Sequence, residues 1–248
     1  MRNLSVMIMM VAIVLMNGCG GDQPSAPKGN DNSTHDPVTP QTDTEASDAA
    51  LWLSGELTAP EKLYEQIRDE LALIREEWED SLDAVKIGFR VPWEPGRLVM
   101  GFTQESYDSI AAGEYHHWDS LNTVYGLDTI VLSTPLFRQL KLKFQERLHP
   151  LVLADIYADL PGLRFVEPNR YYGDAAMLLL YRNGGEIVYF FRYAWENCPS
   201  PSGCEHSEYY IFTVDGDTSS FRGYSPDYNA VPPAWQSILD AAWEWYRR

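Results

Sequence analysis

Apolar and polar residues alternate strictly from Gln139 to Gln145. A period of two places the apolar side chains on one face of an extended chain, so this segment predicts a half-buried β-strand. Two further strands are predicted upstream of it. One comes from the apolar run Leu98–Phe102 and the other from the β-branched run Thr129–Ser133.

The same central region contains two helical patterns. The first spans Trp118–Tyr125 and ends at Gly126. The second stops at Pro161-Gly162, because proline cannot continue a helix and glycine adopts the turn that follows. Its apolar residues recur at i, i+3, i+4 and i+7 and share one helix face: Leu153, Ile156, Tyr157 and Leu160. An extended run follows at Leu163–Val166, and Pro168 restricts it to an edge or an end of a strand.

In chain order, the segment Leu98–Asn169 therefore gives strand, helix, strand, strand, helix, strand. This order is the split βαβ, or ferredoxin-like, arrangement. It predicts a four-stranded antiparallel sheet with both helices packed on one face.

An amphipathic helix is predicted ahead of this region, from Thr58 to about Asp80. Thr58–Glu61 is a capping-box pattern that opens the helix. Its apolar residues step by three and four along one face: Tyr64, Ile67, Leu71, Ile74 and Trp78. Between this helix and the first strand, Pro92–Gly96 predicts a loop.

The chain after Asn169 is rich in predicted strands. Asn183-Gly184-Gly185 and Asp215-Gly216-Asp217 each separate two apolar runs and predict two β-hairpins. A terminal amphipathic helix is predicted over residues 232–248. The predicted fold class is α+β: a ferredoxin-like antiparallel sheet extended by C-terminal β-hairpins, with flanking N- and C-terminal helices.

Residues 1–18 predict an export signal. Arg2 supplies the positive charge, and Leu4–Met16 is an apolar run of roughly 13 residues, shorter than the ~20 that span a bilayer. Leu15–Cys19 (LMNGC) resembles the lipobox of bacterial lipoproteins. The resemblance implies a lipid on Cys19, which anchors the protein in the cell envelope, and Gly20 implies the outer membrane where two membranes are present. An ordinary secretory signal with an incidental cysteine is the alternative.

Residues 19–55 predict a disordered tether. Prolines recur between Gly20 and Ala49 among Asn, Asp, Ser and Thr, and such a segment buries too little apolar surface to offset its ordering entropy. Residues 56–248 are predicted to form a single α+β domain. Its ferredoxin-like core is residues 97–169, and residues 170–248 supply the hairpins and the terminal helix.

Three phrases resemble the propeptide domain of subtilisin-like proteases: Gly96–Phe102 (GRLVMGF), Leu121–Gly126 (LNTVYG) and Leu160–Asn169 (LPGLRFVEPN). The last phrase is the distinctive one. The resemblance implies a ferredoxin-like sheet that chaperones a protease and inhibits it with a C-terminal tail. This chain departs from that scheme because it continues after Asn169, and it contains no His-Gly-Thr-His or Gly-Thr-Ser-Met signature of the protease itself.

Cys198 and Cys204 flank a loop rich in proline, serine and glycine. In an exported protein, two cysteines this close predict a disulfide, which pins the loop. With Cys19 lipidated, no free thiol is left. Aromatic residues cluster around this loop and are a candidate binding surface, with packing on a sheet as the alternative: Tyr171, Tyr172, Tyr193, Trp195, Tyr209 and Tyr210.

Metal and catalytic motifs are weak in this sequence. His116-His117 and Glu205-His206 have acidic neighbours but not the spacing of a zinc motif. Asp215 and Asp217 fit a hairpin turn better than a calcium loop, which requires further acidic positions. No G-x-S-x-G elbow, P-loop or dinucleotide fingerprint is present. We therefore predict no catalytic residue, no metal ligand and no cofactor.

Acidic residues outnumber basic ones, with 36 Asp+Glu against 19 Lys+Arg. This balance disfavours nucleic acid and anionic bilayer surfaces as partners. The sequence predicts a membrane-anchored exported lipoprotein that is not an enzyme. It is predicted to bind an envelope or extracellular protein through the aromatic loop region and an exposed edge of the ferredoxin-like sheet. Two alternatives stay open: an inhibitor or chaperone of a subtilisin-like protease, and a hydrolase that uses carboxylates.

Overall fold

The computed structural model describes residues 40–89, 93–132, 136–170, 176–195 and 204–247. The fold is α+β, with two antiparallel sheets of four strands each. The helices are α1 Pro40–Ser54, α2 Glu61–Trp78, α3 Gln104–Ala112, α4 Asp119–Val124, α5 Pro150–Tyr157 and α6 Pro233–Arg247. The strands are β1 Trp93–Phe102, β2 Leu127–Leu132, β3 Gln139–Phe144, β4 Leu163–Arg170, β5 Met177–Asn183, β6 Glu186–Trp195, β7 His206–Asp215 and β8 Thr218–Ser225.

The first sheet has the strand order β2-β3-β1-β4, and each neighbouring pair is antiparallel. This is the predicted ferredoxin-like arrangement, which is therefore confirmed. The register places Leu98 opposite Leu142 and Met100 opposite Leu140. The apolar halves of the alternating patterns thus point to the same side and form one buried core.

The helices of this half pack on that apolar side of the sheet. Tyr107 of α3 and Leu153 and Tyr157 of α5 are buried in one cluster with the inward residues of β1 and β3. Helix α4 confirms the helix predicted at Trp118–Tyr125. Helix α3 was not predicted; its N-cap is Thr103, whose hydroxyl accepts a hydrogen bond from the Ser106 N–H at 3.3 Å.

The opposite side of the first sheet carries no described helix. There the ring of Phe165 on β4 lies directly over Gly101 of β1, its paired residue. A Cβ atom at position 101 would be only 2.1 Å from that ring. The glycine therefore makes room for the aromatic ring.

Two local predictions are wrong. The segment Pro92–Gly96 was predicted to be a loop, but β1 begins at Trp93, which pairs with Arg170. The register shifts before Leu98, and Gly96 has a positive φ of +65° and approaches the Glu146 carbonyl, so the strand start is irregular. The Thr58–Glu61 capping box is absent as well, because Pro60 is the N-cap of α2 and no side chain caps it.

The two predicted hairpins are confirmed. Gly184 and Gly216 adopt positive φ angles of +66° and +60° in the turns of β5–β6 and β7–β8. Together the hairpins form a sheet of order β5-β6-β7-β8. They join each other in this second sheet instead of adding strands to the first.

The second sheet lies between helices on both faces. Ile187, Tyr189 and Phe191 of β6 pack with α1 and α2, whereas Val188 and Phe190 pack with α6. This alternation follows from the period of two along a strand, and here both halves of the pattern are apolar. The predicted terminal helix is confirmed by α6.

Helix α1 contradicts part of the predicted tether. Residues 19–55 were predicted to be disordered, but Pro40–Ser54 is helical, and Ala46, Ala49 and Ala50 are buried in the core with α2. Small side chains allow two helices to approach closely. The composition of the segment does not show that its alanines are packed against another helix. The signal peptide, Cys19 and the rest of the tether lie outside the described residues. Within the described ranges, no helix is both long and apolar enough to cross a membrane.

A buried ion pair joins α1 to α2. The Arg75 guanidinium donates from Nη1 and Nη2 to the two carboxylate oxygens of Glu45 at 2.8 and 2.9 Å. Arg75 also donates to the carbonyl oxygens of Val85 and Ile87, each at 3.1 Å. Glu45 in turn accepts a hydrogen bond from the Phe89 N–H. One charged pair thus fixes two helices and the segment that follows them.

We expect Arg75→Met to lower the free energy of unfolding by about 3 kcal/mol or more, because it leaves the Glu45 carboxylate buried without its partner. Urea unfolding measures the change. Adding Glu45→Gln to this variant should recover part of the loss, since it removes the uncompensated charge. Arg68→Met, at the solvent-accessible Arg68–Asp69 pair, is the control and should change stability far less, because solvent screens an exposed ion pair. Equal losses of stability in Arg75→Met and Arg68→Met would show that the Glu45–Arg75 pair has no special stabilising role.

His149, at the N-terminal end of α5, makes a second contact with α1. Its ring stacks on Trp52 with centroids 5.3 Å apart, and Trp52 also contacts Trp93 of β1. The imidazole is buried, and neither ring nitrogen has a hydrogen-bond partner within the described part of the chain. Burial lowers the pKa of His149 from 6.5 to about 4.

Between pH 6.5 and pH 4, the unfolded chain binds a proton at His149 that the folded chain does not. The free energy of unfolding should therefore fall as the pH is lowered through this window, by about 3 kcal/mol from this residue alone. His149→Phe retains a ring against Trp52 and should show a smaller loss between pH 7 and pH 4 in thermal unfolding. The exposed His116→Phe is the control. An unchanged pH dependence in His149→Phe would show that this histidine is not responsible.

Candidate functional site

Helices α1 and α2 cover only one end of their face of the second sheet. The other end, where β6 finishes and β7 begins, is lined by residues of three strands. We call it the aromatic surface; its residues are Tyr193, Trp195, His206, Glu208, Tyr210 and Tyr224. Tyr193 and Tyr224 are each 44% exposed. Their rings are held by the sheet while their faces meet solvent.

Cross-strand pairing fixes the rings of this surface. Trp195 lies opposite His206, and Tyr193 lies opposite Glu208. The Tyr193 and Trp195 rings are 5.5 Å apart, and the Trp195 and His206 rings stack at 5.5 Å with an interplanar angle of 28°. Stacked rings on adjacent strands lose little further freedom when a partner binds.

Glu208 is the charged centre of the aromatic surface. Its Oε2 accepts a hydrogen bond from the Tyr210 hydroxyl at 2.9 Å, and its Oε1 accepts one from the Tyr224 hydroxyl at 3.0 Å. Burial, together with the Glu208 carboxylate, raises the pKa of Tyr210 to about 12. Both phenols are therefore protonated donors at neutral pH and hold the carboxylate in place.

This arrangement suits binding. A fixed carboxylate surrounded by aromatic faces attracts cationic groups, through its charge and through cation–π contacts. The rings also supply large apolar areas with polar tips, the residue type enriched at protein interfaces.

The structure brings together only some of the residues that the sequence predicted for the binding surface. Tyr193 and Trp195 lie on the aromatic surface. Tyr209 does not: it is only 2% exposed and packs on the opposite face, near Tyr228 under α6. Its inclusion was wrong because neighbouring residues of a strand point to opposite faces.

Other predicted residues fall outside the described ranges. Tyr171, Tyr172 and Cys198 are among them, and Cys204 lies just before β7. The disulfide therefore stays a prediction. Glu208 and Tyr224 were missing from the predicted surface. Strand alternation groups Glu208 with Tyr210, but only the register of β7 with β8 brings Tyr224 to them.

A cleft of about 310 Å³ lies between α2 and the β7–β8 turn. Its lining includes Asp69, Glu70, Glu76 and Asp217. Burial raises the pKa of Glu70, but both of its oxygens accept hydrogen bonds from the protein. Gln66 donates to Oε1 at 2.8 Å and the Tyr189 hydroxyl donates to Oε2 at 2.6 Å. These contacts give Glu70 a structural role and lend no support to hydrolase chemistry.

The histidines considered for metal binding form a simpler contact. His116 Nδ1 lies 2.8 Å from Asp119 Oδ2 at the surface. Within the described ranges, no three His, Cys, Asp or Glu side chains are grouped to hold a metal ion. Asp215 and Asp217 stand at the β7–β8 turn, where Asp215 pairs with Thr218.

Comparison of the chain with protein-family models, curated proteins and solved structures finds no match. The likenesses to a lipobox and to protease propeptides rest on the motifs alone. The assignment of a function therefore depends on the surfaces themselves.

Proposed function

We propose that this chain is an exported lipoprotein, lipidated at Cys19 and held at the cell envelope, and that it acts as a binding module for another envelope or extracellular protein. The aromatic surface is the observation that carries the proposal. In this proposal the protein is not an enzyme, needs no cofactor and binds no nucleic acid.

The chemistry of the aromatic surface indicates the kind of protein partner. The chain has a formal net charge of −17 at pH 7, and Glu208 adds a fixed negative charge among the rings. Complementary potentials speed association and exclude wrong partners. A partner that presents Arg or Lys side chains fits both features, since such cations can contact Glu208 and lie over the aromatic faces.

A second candidate function is inhibition or chaperoning of a subtilisin-like protease. The strand order β2-β3-β1-β4 favours it, because the resemblance implies this sheet. Insertion of a tail after Asn169 fits poorly, since Pro168 is buried and pairs with Leu98. Titration of a subtilisin-like protease with the chain separates the two candidates: slow, tight inhibition supports the second, and full residual activity removes it.

Trp195 is expected to be a binding hot spot. We predict that Trp195→Ala weakens capture of the partner from detergent-solubilised envelopes by at least about tenfold, because it removes the central ring of the stacked array. Glu208→Gln should weaken capture mainly at low ionic strength. Val124→Ala, at an exposed apolar residue of α4, is the matched control. Equal capture by the wild-type chain and Trp195→Ala would disprove the surface assignment.

Lipidation is tested separately from binding. When the full chain is expressed in a bacterium fed a labelled fatty acid, we expect label in the wild-type protein and none in Cys19→Ser. The variant should also move from the membrane fraction to the soluble fraction. Without the lipid, the only apolar segment left is the short run of the export signal, which does not span a bilayer. Label that persists in Cys19→Ser would exclude this residue as the lipid site.

A further inference from the structure

Strand β2 is an edge strand of the first sheet. It pairs with β3 on one side and with no other strand in the described part of the chain. Ile130, Val131 and Leu132 are 38%, 55% and 44% exposed. Natural edge strands are usually protected by lysine, proline or a covering element, and β2 contains neither residue type.

A cleft of about 420 Å³ lies beside this edge, on the side of the sheet that the helices cover. Ile130 and Leu132 form its wall on β2, and Ile110 and Trp118 line it from the helical side. Ile130 pairs with Leu142 and Leu132 with Leu140, both of which point into the core. The cleft is therefore the place where the apolar core would continue beneath a fifth strand.

Polar groups complete the cleft. His116, Asp119 and Asn122 also line it, and Asp119 holds the His116 ring at 2.8 Å. The cleft is thus apolar along β2 and carries an acidic group on the helical side. This combination suits an extended segment that has apolar residues at every second position and basic residues nearby.

We propose that the outer edge of β2 is a docking site for an extended segment of another protein, which adds to the first sheet as a fifth strand and fills the cleft with alternate apolar side chains. Main-chain hydrogen bonds would supply the affinity and the cleft the selectivity. This docking site rests on the proposed binding function and extends it to a second surface, on a different sheet from the aromatic surface.

Strand β3, which pairs with the inner edge of β2, indicates which residue types suit the segment at the outer edge. Residues Gln139–Phe144 alternate apolar and polar side chains, and Lys143 forms an ion pair with Asp128 of β2 at 3.0 Å. A foreign segment that alternates apolar with Lys or Arg residues therefore matches the edge. A second copy of this acidic chain matches less well, because two molecules of net charge −17 repel each other.

The probe for the test is a synthetic peptide with the sequence of Arg138–Gln145, acetylated and amidated at its ends. Two further versions carry N-methyl groups, one on Leu140 and Leu142 and the other on Lys141 and Lys143. These two sets of N–H groups point to opposite edges of an extended strand. Binding of each peptide to the full chain is measured by fluorescence anisotropy and by NMR shifts.

Strand addition predicts an asymmetric result. One methylated peptide should bind as well as the unmodified one, and the other at least about tenfold more weakly, since its methyl groups face β2. Shift changes should centre on Leu127–Leu132 and the cleft. Equal binding of the two methylated peptides, or no binding of the unmodified peptide, would overturn the proposal.

Variants locate the site on the protein. Ile130→Lys places a cation in the cleft wall and should abolish peptide binding, whereas Val124→Lys, also exposed, should not. Trp195→Ala should leave peptide binding unchanged, so failure of the aromatic surface and failure of the edge are distinguishable. Sedimentation that shows a dimer of the chain, dissociated by Ile130→Lys, would identify a second copy as the occupant and overturn the assignment to a foreign segment.

Discussion

The buried pair between Glu45 and Arg75 is the constraint on which the rest of the domain depends. Taking these charges largely out of water costs several kcal/mol, and the pair offsets this because Nε, Nη1 and Nη2 of Arg75 all donate hydrogen bonds, two to Glu45 and two to backbone carbonyls. The hydrogen bond from Phe89 to Glu45 extends the network to the second sheet, since Phe89 forms a β-bridge with Leu178 of β5. The pair therefore determines where α1 lies as much as how stable the domain is.

Helix α1 connects the two halves of the domain through contacts of different chemistry. Its alanines pack in the core of the second sheet. Asp48 accepts a hydrogen bond from Arg147, ahead of α5, at 2.7 Å, and Trp52 contacts Trp93 of β1. These contacts reach elements of both sheets, so α1 ties the two sheets to each other.

The parts of the fold that could be predicted from sequence are those encoded locally. Alternation at Leu140–Phe144 and the glycine turns at Gly184 and Gly216 need no knowledge of the rest of the chain. Helix α3 was missed because its nine residues, with Tyr107 its buried one, give only a weak period. Helix α1 was missed because its contact with α2 is made by three alanines and by Glu45, whose partner Arg75 is 30 residues away.

The same distinction applies to the aromatic surface. Tyr209 and Tyr210 point to opposite faces of the second sheet. The strand pattern does not show which of these faces is exposed near them, because that depends on where α2 and α6 pack. Glu208 and Tyr224 are 16 residues apart and meet only through the register of β7 with β8. Long-range register is the information that local periodicity lacks.

The contact of Phe165 with Gly101 links two positions of the sequence across a strand pair. Any side chain at position 101 would collide with the ring unless the ring moved away or became smaller. The two positions should therefore change together in the course of evolution. Homologous chains that carry alanine or serine at 101 are expected to have a small or unbranched residue at 165, and a large aromatic ring there only with glycine.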